Sequence, residues 1–129
     1  MMRIMIVCLL LVVVAACKKN KHEVATDVQI NFTEPAVGDT IQSWNQLHIE
    51  GTITSTGNMH GYGIKVLKND GSQTQLFSVN YEIQVEEINF HEHWMNNLTD
   101  TTDVTVRVEV FVDKNGLKEV KEVNVVCLP

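Results

Sequence analysis

The chain has 129 residues, of which 44% are apolar and 20% charged, and its formal net charge is −6. This length provides one domain with a modest hydrophobic core. The acidic balance argues against nucleic acid as a partner, because binding to phosphates requires an excess of Lys and Arg.

The N-terminal segment has the layout of a secretory signal peptide. A positive charge at Arg3 is followed by an uncharged apolar run of 13 residues, residues 4–16, and small residues precede Cys17. A permanent transmembrane helix needs about 20 apolar residues, so this run is too short to be one. The sequence therefore predicts that residues 1–16 are removed, which changes the formal net charge to −7 because Arg3 is lost.

The end of the apolar run, Val14-Ala15-Ala16-Cys17, resembles the lipobox of bacterial lipoproteins. The resemblance implies that Cys17 becomes the first residue and carries acyl chains, palmitate among them, on its sulfur and its amine. Each buried methylene contributes about 0.8 kcal/mol, so two or three chains anchor a protein firmly to a membrane. By the same resemblance Lys18 implies the outer membrane. We expect the domain to face the periplasm, joined to the lipid by a polar tether over residues 17–25.

Apolar and polar residues alternate with period two from Thr26 onward, as they do in half-buried β-strands. Seven such segments are separated by turn signals such as Asn69-Asp70-Gly71-Ser72. The clearest segment runs from Val104 to Val112 and is predicted to be the central strand. Residues 26–129 are therefore predicted to form one all-β domain, an antiparallel β-sandwich of about seven strands. Its expected core residues include Ile64, Phe77, Val106, Val108 and Val110.

The opening of this domain has a recognisable order of features. A strand around residues 28–33 ends at Glu34-Pro35, and a turn that contains Gly38 follows. This opening and the strand count resemble bacterial immunoglobulin-like and fibronectin-III-like domains. The resemblance implies an immunoglobulin-like fold and no particular activity.

Catalytic motifs are absent from the sequence: there is no Gly-x-Ser-x-Gly, no phosphate-binding glycine loop and no Cys-x-x-Cys. We therefore expect a binding domain and not an enzyme. Cys8 would leave with the signal peptide and Cys17 would carry lipid, so Cys127 has no disulfide partner. Its alternation with Val123 and Val125 predicts a small buried side chain; the alternative is a metal ligand or a reactive thiol.

The histidines have the clearest potential for chemistry. His91 and His93 form a His-x-His pair whose side chains point the same way in a strand, and imidazole suits copper and zinc. If consecutive strands form a meander, His60 and Glu82 join this pair in one patch. That arrangement predicts a copper or zinc site with Glu82 as a supporting ligand. If the strand of His91 instead crosses to the other sheet, as in an immunoglobulin fold, His60 is separated from it.

Two non-catalytic functions follow from these features. The first is a periplasmic metal-binding lipoprotein, in which Met59 or Cys127 would add a soft ligand that favours copper(I). The second is an interaction module that recruits an envelope protein or a glycan through its loops. Trp44 and Trp94 are predicted to be buried; if they are exposed, they would be suited to stacking on sugar rings.

Overall fold

The computed structural model describes residues 24–129, so the predictions for Cys17 and the signal peptide lie outside the described range. Residues 24–129 contain eight strands. Within the same range, no helix could span a membrane. The strands are β1 (Thr26–Glu34), β2 (Thr40–Ile41), β3 (Gln46–Thr56), β4 (Gly61–Lys68), β5 (Gln75–Glu82), β6 (Glu87–Met95), β7 (Thr102–Phe111) and β8 (Lys118–Cys127). The two-residue β2 is the one strand that the sequence pattern does not indicate.

The strands form two sheets packed face to face, which confirms the predicted all-β sandwich. One sheet has the order β1-β3-β6 and the other the order β2-β8-β7-β4-β5. Neighbouring strands are antiparallel, except that β2 runs parallel to β8. β4 and β5 form a hairpin, whereas β6 crosses to the other sheet and pairs with β3. Of the two connectivities considered, the meander of β4, β5 and β6 is therefore absent, and the immunoglobulin-like connectivity is present.

The core lies between the two sheets. β7 occupies the middle of the five-stranded sheet, as predicted, with β8 on one side and β4 on the other. Phe77 is only partly buried, contrary to the prediction, because its strand β5 is at the edge of the sheet. The other predicted core residues are fully buried: Ile64, Val106, Val108 and Val110.

Two sulfur-containing side chains are enclosed in this core. Met59 and Cys127 are both fully buried, which confirms that Cys127 acts as a small core residue. Burial also raises the pKa of the Cys127 thiol, which keeps the sulfur protonated. Neither sulfur is available to an ion at the surface, so the predicted soft ligand for copper(I) is not provided by these residues.

The two tryptophans have different environments. Trp94 occupies an inward position of β6 and is 8% exposed, as predicted. Trp44 is 71% exposed, contrary to the prediction. It lies in the turn between β2 and β3 with a φ of 63°, so the alternation that buries every second side chain of a strand does not apply to it.

Gly51 fixes the register between β3 and its neighbours. It lies between Phe32 of β1 and Phe90 of β6, whose rings meet edge to face with centroids 5.7 Å apart. A Cβ on Gly51 would be 2.0 Å from the carbonyl oxygen of Asn31 and 2.5 Å from Cζ of Phe90. Because a slip of one residue would turn every side chain to the opposite face, this contact also determines which side chains of β3 face the solvent.

Candidate metal centre

The crossing of β6 separates the four residues of the sequence-based metal site into two pairs. His60 directly precedes β4 and Glu82 ends β5, so both belong to the five-stranded sheet. His91 and His93 lie on β6 in the three-stranded sheet. The structure does not join the four residues in one patch, because the meander on which that patch depended is absent. Metal binding by these side chains stays a prediction.

His60 and Glu82 line the same groove at one end of the five-stranded sheet. The groove has a volume of about 690 Å³, and Phe111 and Lys114 also line it. A neighbouring cavity of about 360 Å³ shares His60, Lys114 and Gln84 with it. Within residues 24–129, the one cluster of three potential metal ligands lies elsewhere, on the three-stranded sheet.

That cluster lies on the outward face of β3 and β6. The inward-facing side chains of the two strands are buried and include Leu47, Ile49, Phe90 and Trp94. The side chains between them, among them His48, Glu50, His91 and His93, face the solvent. The register places Glu50 opposite His91 and His48 opposite His93. Opposite residues on one face have Cβ atoms about 4.5–5.5 Å apart, so these four side chains are neighbours.

Glu50 lies between two imidazoles. Its Oε1 atom is 3.4 Å from Nδ1 of His91 and 4.0 Å from Nδ1 of His48. The rings of His48 and His91 meet edge to face with centroids 6.3 Å apart, and the three residues offer ligand atoms within 4.8 Å of one another. Zinc with tetrahedral bonds of about 2.0–2.1 Å needs ligand atoms roughly 3.3–3.4 Å apart. The Glu50–His91 pair already has this spacing, whereas the 4.0 Å between Glu50 and His48 exceeds it by about 0.6 Å.

The cluster is open to solvent and contains one acidic side chain. The side chains of His48, His91 and Glu50 are exposed by 47%, 64% and 35%, respectively. Among the described residues, the only basic groups within 4.0 Å of the Glu50 carboxylate are these two imidazoles. An ion at this position would therefore receive one anionic oxygen and two neutral nitrogens from the protein, and water would complete its coordination.

His48 and Glu50 are not among the ligands predicted from the sequence, which were His60, Glu82, His91 and His93. Two short patterns in the sequence indicate the cluster, His48-Ile49-Glu50 and His91-Glu92-His93. They lie on strands that are adjacent in an immunoglobulin-like fold. The cluster depends on the register between these two strands, which are not consecutive in the chain.

Glu92 is occupied elsewhere, although it lies between His91 and His93 in the chain. It points to the inner side of β6 and accepts a hydrogen bond from the Tyr81 hydroxyl of β5, which joins the edges of the two sheets. Tyr81 stacks on Tyr62 with ring centroids 5.0 Å apart. The bond to Glu92 raises the pKa of Tyr81 to about 12. Burial, followed by the charge of Glu92, raises the pKa of Tyr62.

Comparison with known proteins gives similarities to solved structures alone. No protein-family model matches the chain, and no curated protein matches it. Among solved structures, the chain is similar to the crystal structure of the CARDB domain of the PF1109 protein from Pyrococcus furiosus, in complex with di-metal ions. The similarity covers 82% of this chain and 90% of that chain, with 15% sequence identity and a TM-score of 0.47. A similarity at this level does not transfer the ions of that domain to this chain.

Proposed function

We propose that this chain is a lipid-anchored envelope protein whose β-sandwich binds a transition-metal ion without catalysing a reaction. The observation that supports metal binding is the position of Glu50, whose Oε1 lies 3.4 Å from His91 Nδ1 and 4.0 Å from His48 Nδ1 on an exposed face. Each of these groups can be a ligand, and the fold holds their backbones in adjacent register positions. The ion is therefore bound by preformed strands and needs no rearrangement of the main chain.

The ligand set favours zinc or copper(II). Calcium and magnesium take oxygen ligands, so two imidazoles select against them. Copper(I) prefers thiolate and thioether sulfur, and both Met59 and Cys127 are buried in the core. Two imidazoles and one carboxylate form a ligand set that occurs at zinc sites and also suits copper(II). His93, which lies opposite His48 on the same face, is our candidate for a fourth ligand.

The metal site is tested by calorimetric titration of the purified full-length protein in detergent with zinc and with copper(II). We expect a His48→Ala/His91→Ala double variant to weaken binding at least about tenfold, and Glu50→Gln to weaken it less. Binding should also weaken in acid, because protons compete with the ion for the imidazoles and the carboxylate.

The matched control is a His60→Ala/Glu82→Gln double variant, which changes the groove and leaves the outward face of β3 and β6 intact. We expect this variant to bind the ion as the parent protein does. Equal affinities of the parent and the His48→Ala/His91→Ala variant would contradict the proposed site. Loss of binding in the groove variant alone would assign the ion to His60 and Glu82 instead.

The anchor is the second part of the proposal and rests on the sequence around Cys17. Acylation there would hold the domain at the outer membrane, facing the periplasm. Mass spectrometry of the mature protein should find an acylated N-terminal Cys17, and Cys17→Ala should leave an uncleaved or unanchored product. An unmodified N-terminus at Lys18 or later would contradict the anchor without affecting the metal site.

A further inference from the structure

Trp44 is an exposed aromatic side chain at one end of the sandwich. It precedes the eleven-residue strand β3, whereas the groove residue His60 follows that strand, so the two lie at opposite ends of the domain. With 71% of its surface exposed, Trp44 contributes little to the core. It is also separate from the candidate metal centre, which lies on the sheet face.

Trp44 occupies a turn position that favours glycine. The amide of Asn45 donates a hydrogen bond to the carbonyl oxygen of Gln42 at 3.1 Å, which closes a four-residue turn with Trp44 as its third residue. The φ of Trp44 is 63°, in the left-handed region that glycine and asparagine adopt readily and bulky residues rarely adopt. The turn therefore gains nothing from an indole at this position, and the fold does not explain its presence.

The backbone around Trp44 is held firmly by Asn96, whose side chain is fully buried. The amide of Trp44 donates to the carbonyl oxygen of Asn96 at 2.7 Å, and the amide of Asn96 donates to the carbonyl oxygen of Asn45 at 3.0 Å. The side-chain amide of Asn96 donates to the carbonyl oxygens of Ile41 and Leu128. The indole is thus presented on a fixed backbone, which reduces the entropy lost when a ligand binds.

The side chains that flank Trp44 in the chain are neutral and polar. Residues 42–46, Gln-Ser-Trp-Asn-Gln, carry no charge, and the amide residues Gln42, Asn45 and Gln46 are exposed. The apolar face of a pyranose ring can stack on an indole, while amide groups donate to and accept from hydroxyl and acetamido groups. We propose that Trp44 and these amides bind a neutral glycan chain. This site is independent of the proposed metal centre.

A lipid bilayer is the other partner that commonly contacts exposed tryptophan. A membrane-binding segment combines the aromatic residue with further apolar or basic side chains, whereas the turn combines it with amides. The position of Val24, the first described residue, also favours a glycan. Val24 bridges Asn58 at the end of the domain opposite to Trp44, so an anchor upstream of Val24 would direct Trp44 away from the membrane.

The test is titration of the full-length protein with chitohexaose, cellohexaose and maltohexaose, followed by calorimetry and by tryptophan fluorescence. The detergent should have a polyoxyethylene head group, because the sugar head group of an alkyl glycoside would compete. We expect at least one oligosaccharide to bind and Trp44→Ala to weaken that binding at least about tenfold. Trp44→Phe should retain part of the affinity, because a smaller ring remains.

Two variants separate loss of the ligand contact from loss of the fold. Trp44→Gly should abolish binding and raise the melting temperature by about 2–5 °C, because glycine adopts this φ without strain. Val37→Ser, which removes another exposed apolar side chain, should bind as the parent does. Absence of binding to all three oligosaccharides would overturn the proposal. Quenching of Trp44 by brominated phosphatidylcholine, in protein reconstituted into liposomes, would overturn it in favour of a bilayer contact.

Discussion

The outward faces of the two sheets carry similar residue types but use them differently. On the five-stranded sheet, Lys65 donates to both carboxylate oxygens of Glu109 at 3.1 Å, and Lys118 approaches the same carboxylate at 3.4 Å. On the three-stranded sheet, Glu50 has only imidazoles as basic neighbours among the described residues. A carboxylate that is paired with ammonium groups stabilises the fold, whereas one flanked by imidazoles remains able to bind an ion. The two carboxylates differ because of the side chains on the neighbouring strands. The alternation of inward and outward residues is the same in both sheets.

The largest expected effect comes from a change within the three-stranded sheet alone. Gly51→Ala would place a methyl group 2.0 Å from the Asn31 carbonyl oxygen, which is backbone and cannot move aside. We expect a loss of about 2–3 kcal/mol in the free energy of unfolding. Because Glu50 directly precedes Gly51, a backbone shift at Gly51 should also displace Glu50, and we expect weaker zinc binding. Chemical denaturation and zinc titration of the same variant measure both effects.

The matched control is Gly63→Ala on the five-stranded sheet. There the new methyl group would approach the side-chain oxygen of Asn80 at 2.3 Å, and a side chain can rotate away. We expect a smaller loss of stability and unchanged zinc binding. If the two variants were equally destabilised, the close packing of Phe32 and Phe90 around Gly51 would not be what sets the register of the candidate metal centre.

The next prediction compares the contributions of Glu109 and Glu50 to stability. Glu109→Gln should lower the free energy of unfolding by about 1–3 kcal/mol, because Lys65 and Lys118 lose their shared counter-charge. Glu50→Gln should change it by no more than about 0.5 kcal/mol, since this side chain is partly exposed. Urea denaturation of both variants provides the measurement. A larger loss for Glu50→Gln would reverse the roles assigned to the two faces.

The effect of Glu109 should also depend on pH. Burial alone would raise the pKa of this carboxyl, but the hydrogen bonds and charge of Lys65, with a further contribution from Lys118, lower it below its ordinary value. A carboxyl with a lowered pKa in the folded state stabilises the protein above its unfolded pKa, near 4.5, and loses this contribution as the pH falls through its folded pKa. The difference between the parent and Glu109→Gln should therefore be full at neutral pH and shrink in acid.

Strand alternation was sufficient to predict the fold but not the candidate site. The valines of β7 alternate without interruption, so their burial and the central place of the strand followed from the sequence. The cluster of His48, Glu50 and His91 depends on which strands are neighbours, and period-two patterns do not contain that information. The prediction that Trp44 is buried was wrong for a related reason, because its exposure results from a turn and no alternation applies to a turn.

The smallest expected effect concerns the contact that joins the edges of the two compared sheets. Tyr81 of β5 donates its hydroxyl hydrogen to Glu92 of β6, and this raises the pKa of Tyr81 from 10.0 to about 12. A group whose pKa is raised in the folded state contributes its full stability below the unfolded pKa and loses that contribution as the pH rises through the folded pKa. The parent protein should therefore lose stability relative to Tyr81→Phe between pH 10 and pH 12. Titration of the tyrosinate absorbance should show one phenol that ionises near pH 12, and this step should disappear in Tyr81→Phe, which leaves Tyr62 as the remaining tyrosine. If Tyr81 instead ionised near its ordinary pKa, the hydrogen bond would not link the sheet of the candidate metal centre to the sheet of the paired charges.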